Sequence, residues 1–260
     1  MSGRPSTLQA LAVAALMSSA ACAAGVPGRP VGTATADPTA VAALTAATSH
    51  CRPLRTATSE IRLSGKAGPQ RIRARLLAGF AAPSSVRLEA LAPFGAPALI
   101  LAGDGAATTL LFPRDRQVLR DAPVAAVLEA LTGLALDAAE LRGMIFGCLG
   151  SDGGTGARYG SAWQTVTDGD DTTVFLRDGV PVAAGYRGWQ IDYAGHISGL
   201  ARQVRVRRSL AAGAIDLTAD LGEVELNVDL DARAFVVEVP ADATAITLDE
   251  LRRSSPLTAR

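Results

Sequence analysis

Leu131–Gly150 reads LTGLALDAAELRGMIFGCLG. It is the end of one apolar helix and most of a second, with a break at Gly133–Leu136, in a chain whose other apolar residues mostly alternate at period two. Working back from it, Pro123 suits a first helical turn after Asp121, and Val124, Val127, Leu128 and Leu131 recur on one face. Asp137 is a good N-cap for the second helix, Asp137 to Phe146, which presents Leu141, Met144 and Ile145. Two amphipathic helices inserted into a strand-patterned chain predict a sheet with an internal helical lid.

The flanks carry the sheet. In RIRARLLAGF, residues 71–80, Ile72, Ala74 and Leu76 fall on one face and Arg71, Arg73 and Arg75 on the other, after a turn at Gly68-Pro69. SVRLEALAP, PALILAGDG and ATTLLFP are short strands punctuated by turn residues. After the insert SAWQTV, TTVFLRD, VPVAAGYR, GWQIDYAG, RQVRVRRS, AIDLTAD, EVELNVD and AFVVEVP read as successive antiparallel strands. One face of such a sheet is wet and the other apolar. The apolar face collects Ile72, Leu76, Leu88, Leu99, Leu101, Leu110, Val204, Val206, Leu226 and Val237. Thr39 onward, with Ala40, Leu44 and Ala47 at helical spacing, predicts a short N-terminal helix.

The N-terminus has the features of an export signal: Arg4, an apolar run from Leu8 to Met17, then small residues around Cys22. The run is too short to span a bilayer. Ser19-Ala20-Ala21-Cys22 reads as a lipobox, with serine where leucine is usual and Cys22 as the lipid anchor. Ala21-Cys22-Ala23 reads alternatively as an ordinary Ala-x-Ala cleavage site. On the lipobox reading residues 1–22 are the signal peptide, 23–38 a Gly/Pro/Thr-rich flexible linker and 39–260 the domain. Cys51 and Cys148 then remain as an even pair in an oxidising compartment. They are either bridged, closing a loop of roughly 100 residues worth about 4–5 kcal/mol in chain-entropy terms, or two buried thiols.

The formal net charge is zero and 19% of residues are charged, so no whole-chain attraction to nucleic acid is expected. Histidine is confined to His50 and His196, too few for a His-based metal site, and no metal or cofactor is expected. GSDGGTG lacks the Lys-Ser/Thr of a phosphate loop, and DGDDTT lacks the rest of a calcium loop. Asp216 with Asp220 and Glu223 with Glu225 lie on wet strand faces. None of this makes an enzyme, and the expectation is a non-catalytic protein.

Between Val86 and Leu149, VRLEALAPFGAPALIL and LEALTGLALDAAELRGMIFGCL carry a strand ending in Pro-hydrophobic-Gly, then a two-helix segment with Leu-Thr-Gly, Leu-Arg and Ile-Phe-Gly. With the closing strands GWQIDYAG, RQVRVRR and EVELNVDLDARAFVVEVPADA, this resembles the outer-membrane lipoprotein receptor family LolB and, more distantly, the periplasmic carrier family LolA. The resemblance covers most of residues 38 to 250, and Thr244 to Arg260 extends beyond it. It implies a mainly β fold, a half-open antiparallel β-barrel with an N-terminal helix, closed by a helical lid over an acyl-chain cavity. Leu128, Leu131, Leu141 and Ile145 would line the lid, and Ile72, Leu76, Leu88, Leu99 and Leu101 the floor. Phe94, in the Pro-x-Gly position where the family tends to have leucine, would touch the membrane. The implied setting is the periplasmic side of the outer membrane. The implied partners are acylated lipoproteins, a LolA-like carrier and outer-membrane lipid. A soluble LolA-like carrier, or a structural or assembly lipoprotein with a packed sheet, are the alternatives.

Overall fold

The computed structural model describes residues 28–92, 97–150, 153–169, 171–210 and 213–254. The signal segment with Cys22, the Phe94 turn, Ser151-Asp152 of the Gly-rich crossing and Asp170 lie outside the described residues. The chain opens with β1 (Thr35–Ala36) and α1 (Thr39–Ala47), followed by β2 (Thr56–Ala67), β3 (Gln70–Ala81), β4 (Ser85–Leu91), β5 (Pro97–Gly103), β6 (Thr108–Phe112) and β7 (Gln117–Ala122). The helical insert is α2 (Val124–Thr132) and α3 (Ala138–Phe146). The second strand run comprises β8 (Thr155–Tyr159), β9 (Trp163–Asp168), β10 (Thr172–Arg177), β11 (Val180–Tyr186), β12 (Trp189–Ala194), β13 (Gln203–Leu210) and β14 (Gly213–Leu226). A 3₁₀ turn at Ala232–Phe235, β15 (Thr244–Ala245) and α4 (Leu248–Ser254) complete it.

All strands join one 15-stranded sheet in the order β1-β8-β9-β10-β11-β12-β13-β14-β2-β3-β4-β5-β6-β7-β15. Pairing is antiparallel throughout except β15 with β7. Among the described residues the edge strands β1 and β15 do not meet, so the sheet is a half-open barrel. Its register stacks apolar partners on the concave face: Ile61 opposite Leu76, Leu88 opposite Leu101, Leu101 opposite Leu110, and Val206 opposite Leu217. The convex face carries the arginines. The helices fill the concavity, where Phe80 of β3 meets Phe146 of α3 edge-on with ring centroids 5.9 Å apart.

Helix ends follow local chemistry. Asp137 accepts from the Glu140 amide at 2.8 Å while Glu140 accepts from the Asp137 amide at 2.9 Å, a reciprocal capping box. Gly133 and Gly147, both left-handed, end α2 and α3, a conformation glycine adopts without steric cost. Among the described residues no helix is long and apolar enough to cross a membrane.

Four expectations are corrected. AIDLTAD and EVELNVD are not two strands: both fall largely in β14, which continues past a register shift between Leu221 and Val224. AFVVEVP forms no strand of the sheet. Asp231 accepts from the Arg233 amide and starts the 3₁₀ turn instead, and the chain crosses the convex face, where the Arg87 guanidinium donates to the Ala234 and Val236 carbonyls. Val237 therefore lies on the convex side with this strap and not on the apolar face. Finally, the linker expected over 23–38 is docked from Arg29 onward. Arg29 donates to the Ala184 carbonyl and stacks on Phe175 at 4.8 Å, and β1 pairs with β8. Asp37 then accepts from Thr39, Gln164 and Arg158. The Thr39 hydroxyl and Gln164 amide, with Arg158 beside them, pull the Asp37 carboxyl down to about 2.

Candidate lipid-binding cavity beneath the helical lid

Where α2 and α3 cross the concave face they leave a cavity of about 120 Å³. Its floor is Ile61 and Leu63 of β2, Leu76 of β3, Leu88 of β4, Val204 and Val206 of β13, and Leu217 and Ala219 of β14. Its roof is Leu128, Thr132, Leu134, Leu141, Met144 and Ile145. The Thr132 hydroxyl is turned into its own helix, donating to the Leu128 carbonyl at 2.8 Å. A cavity so lined has no hydrogen bond to offer a guest and selects apolar chains.

Of the residues singled out by sequence, Leu76, Leu88, Leu128, Leu141 and Ile145 lie on this cavity. Ile72, Leu99 and Leu131 are half-buried against the surrounding core, and Leu101 is fully buried beneath it, so none of these four lines the gap. Ile61, Leu63, Thr132, Leu134, Leu217 and Ala219 are lining residues that the sequence reading did not name. Their signal was present: Ile61 and Leu63 alternate with Glu60 and Arg62, and Leu217 and Ala219 with Asp216 and Asp220.

The lid is held at both ends of α3. At its N-terminal end Glu140 accepts from the Tyr186 hydroxyl and, at 2.8 Å, from Arg187. At its C-terminal end the buried Tyr193 hydroxyl donates to the Met144 carbonyl at 3.0 Å, and Cys148 is disulfide-bonded to Cys51 with Cα atoms 5.6 Å apart. His50 Nε2 lies 3.0 Å from the Phe146 carbonyl. His50, Cys51 and Cys148 cluster closely enough to suggest metal ligands, but the sulfurs bond each other and offer no thiolate. His196 is half-buried in the turn before β13, apart from this cluster, and burial lowers its pKa.

Burial would raise the Glu140 carboxyl, but the Tyr186 hydroxyl, the Asp137 amide and Arg187 outweigh it and hold the group below the ordinary glutamate range. Burial, then Glu140, pushes Tyr186 up to about 12. Because the folded carboxyl is depressed, the latch's contribution is present above the unfolded glutamate pKa of about 4.3 and is lost as pH falls through the folded value. Protection of the α3 amides against hydrogen exchange, taken relative to their intrinsic rates at each pH, is expected to fall over that acidic range in the native chain. In Glu140→Gln it is expected to be low already at neutral pH. Equal pH dependence in both would assign the latch no role.

No family model and no curated protein matches this sequence. Solved structures similar in outline include the following two. The LolA superfamily protein NE2245 from Nitrosomonas europaea is 14% identical, with a TM-score of 0.49 over 76% of this chain and 97% of that one. A DUF1329 family protein from Desulfovibrio piger is 12% identical, with a TM-score of 0.47 over 76% of this chain and 96% of that one.

Proposed function

We propose that this chain is a non-catalytic, lipid-anchored protein of the periplasmic side of the outer membrane, which takes up the acyl chains of lipoproteins and helps place them there. The observation that carries the proposal is the apolar cavity between a latched helical lid and a half-open sheet. The resemblance of Val86–Leu149 and the closing strands to LolB and LolA supports it. In this reading Cys22 is the anchor, Phe94 the membrane-touching tip, and acylated lipoproteins, a LolA-like carrier and outer-membrane lipid the partners.

The cavity volume constrains the mechanism. At about 120 Å³ it is near the roughly 150 Å³ void that accepts one benzene, so the closed form holds a short piece of one chain. A whole acyl chain enters only as α2 and α3 lift from the floor. Each methylene buried contributes about 0.8 kcal/mol, which offsets the broken lid contacts. Release follows where the membrane offers the chain a competing apolar phase, so transfer runs on differential affinity without nucleotide or covalent chemistry.

The test is titration with an environment-sensitive fluorescent fatty acid, then displacement by a triacylated lipopeptide. Saturable binding with a blue shift, reversed by the lipopeptide, is expected. A probe that stays in water would refute acyl carriage and leave a packed lipoprotein that acts through protein partners.

A further inference from the structure

We propose that the convex face at the tip of the β2–β3 hairpin, through Lys66, Arg71 and Arg73, seats on the anionic phospholipid headgroups of the membrane that carries the anchor. The proposal rests on the anchored reading above and adds an orientation to it.

Two independent features support it. The first is charge. On the convex face Glu60 is taken by Arg75 at 2.8 Å, Asp216 by Arg205 at 2.6 Å, and Asp192 by Arg207. Arg62 sits opposite Asp220 in the β2–β14 register. Lys66 sits opposite Asp216 in the same register, but that carboxylate is already held by Arg205; Lys66 and Arg71, directly paired across β2 and β3, and Arg73 beside them are exposed and, among the described residues, form no salt bridge. Alternate residues on a strand point the same way, so Arg71 and Arg73 stand roughly 7 Å apart on one surface.

The second is tether length. Arg29, near the start of the described residues, is fixed on the convex face to Ala184 and Phe175 and lies 4.0 Å from Asp192 of β12. From Gly28 back to Cys22 the sequence has six residue steps, which reach about 20 Å when extended. From β12 to β3 is four strand spacings in the sheet order, also roughly 20 Å. An anchor on so short a leash holds the convex face at the bilayer and leaves the basic tip within reach of it. β4 ends at Leu91, whose partner is Arg75, and β5 starts at Pro97, whose partner is Leu91. The flanks of the Phe94 segment thus lie at the same end of the sheet as Arg71 and Arg73.

Cosedimentation with vesicles of phosphatidylglycerol and phosphatidylethanolamine, and with neutral phosphatidylcholine vesicles, tests this on the Cys22→Ala chain, in which no lipid anchor dominates. Binding to the anionic vesicles that is lost at high salt is expected. Each cation removed should weaken it about fivefold, so K66Q/R71Q/R73Q should bind on the order of a hundredfold less well. R71K/R73K, which keeps the charge, should bind as the parent does. Equal binding to neutral vesicles, or binding unmoved by the triple substitution, overturns the proposal. The intact mass of the native mature chain reads the anchor separately: an unmodified chain overturns the anchored reading whatever the vesicles show.

Discussion

Replacing Cys51 and Cys148 together by serine is expected to lower the free energy of unfolding by about 4 kcal/mol. The bridge joins residues 97 apart, and constraining a loop that long removes close to the largest share of unfolded-chain entropy that one disulfide can. It also ties the end of the lid to the segment after α1, beside Phe146 and the buried Leu149. Urea unfolding of C51S/C148S, with reductant added to the native protein as a second arm, measures the effect. The midpoint should drop by about 1–2 M in urea at a slope of about 2–3 kcal/mol per molar. Midpoints in both arms that coincide with that of the oxidised native chain would show that the folded contacts alone hold the lid end.

Ala219→Trp is expected to weaken binding of the fluorescent fatty acid at least tenfold. Ala219 sits on the cavity floor between the β13 and β2 strands, and an indole there occupies the space a chain would enter. Overpacking costs about 1–3 kcal/mol of stability, so the variant should still fold. Thr218→Trp, one residue along and on the convex face, is the control and should bind as the native chain does. Undiminished binding in Ala219→Trp would place the ligand elsewhere.

Sequence patterns disclosed the sheet wherever one face is wet. Arg71, Arg73 and Arg75 against Ile72, Ala74 and Leu76 identify β3 and its sidedness without further information, and Asp137 with Glu140 marks the start of α3 through chemistry that is complete within four residues. Alternation failed where it was asked to name a neighbour. Val236-Val237-Glu238-Val239 has strand character, yet the Val236 carbonyl, with that of Ala234, accepts from Arg87, about 150 positions earlier in the chain. The cavity was legible only in part for a related reason. Period two assigns Leu88 and Leu101 to the same face, but curvature and the position of the lid decide that Leu88 borders the gap while Leu101 lies beneath the packed core.

A sheet that does not close on itself leaves two rows of unpaired amides and carbonyls, the usual template for edge-to-edge aggregation. Here the outermost strands are two residues long, Thr35–Ala36 at one side and Thr244–Ala245 at the other. The second runs parallel to β7, and its flanks add the Thr244 amide to the Arg116 carbonyl and the Ile246 amide to the Val118 carbonyl before α4 buries Leu251. Among the described residues these two strands thus serve as selvedges. An open sheet bounded by them presents no outermost strand long enough for a second copy to zip onto.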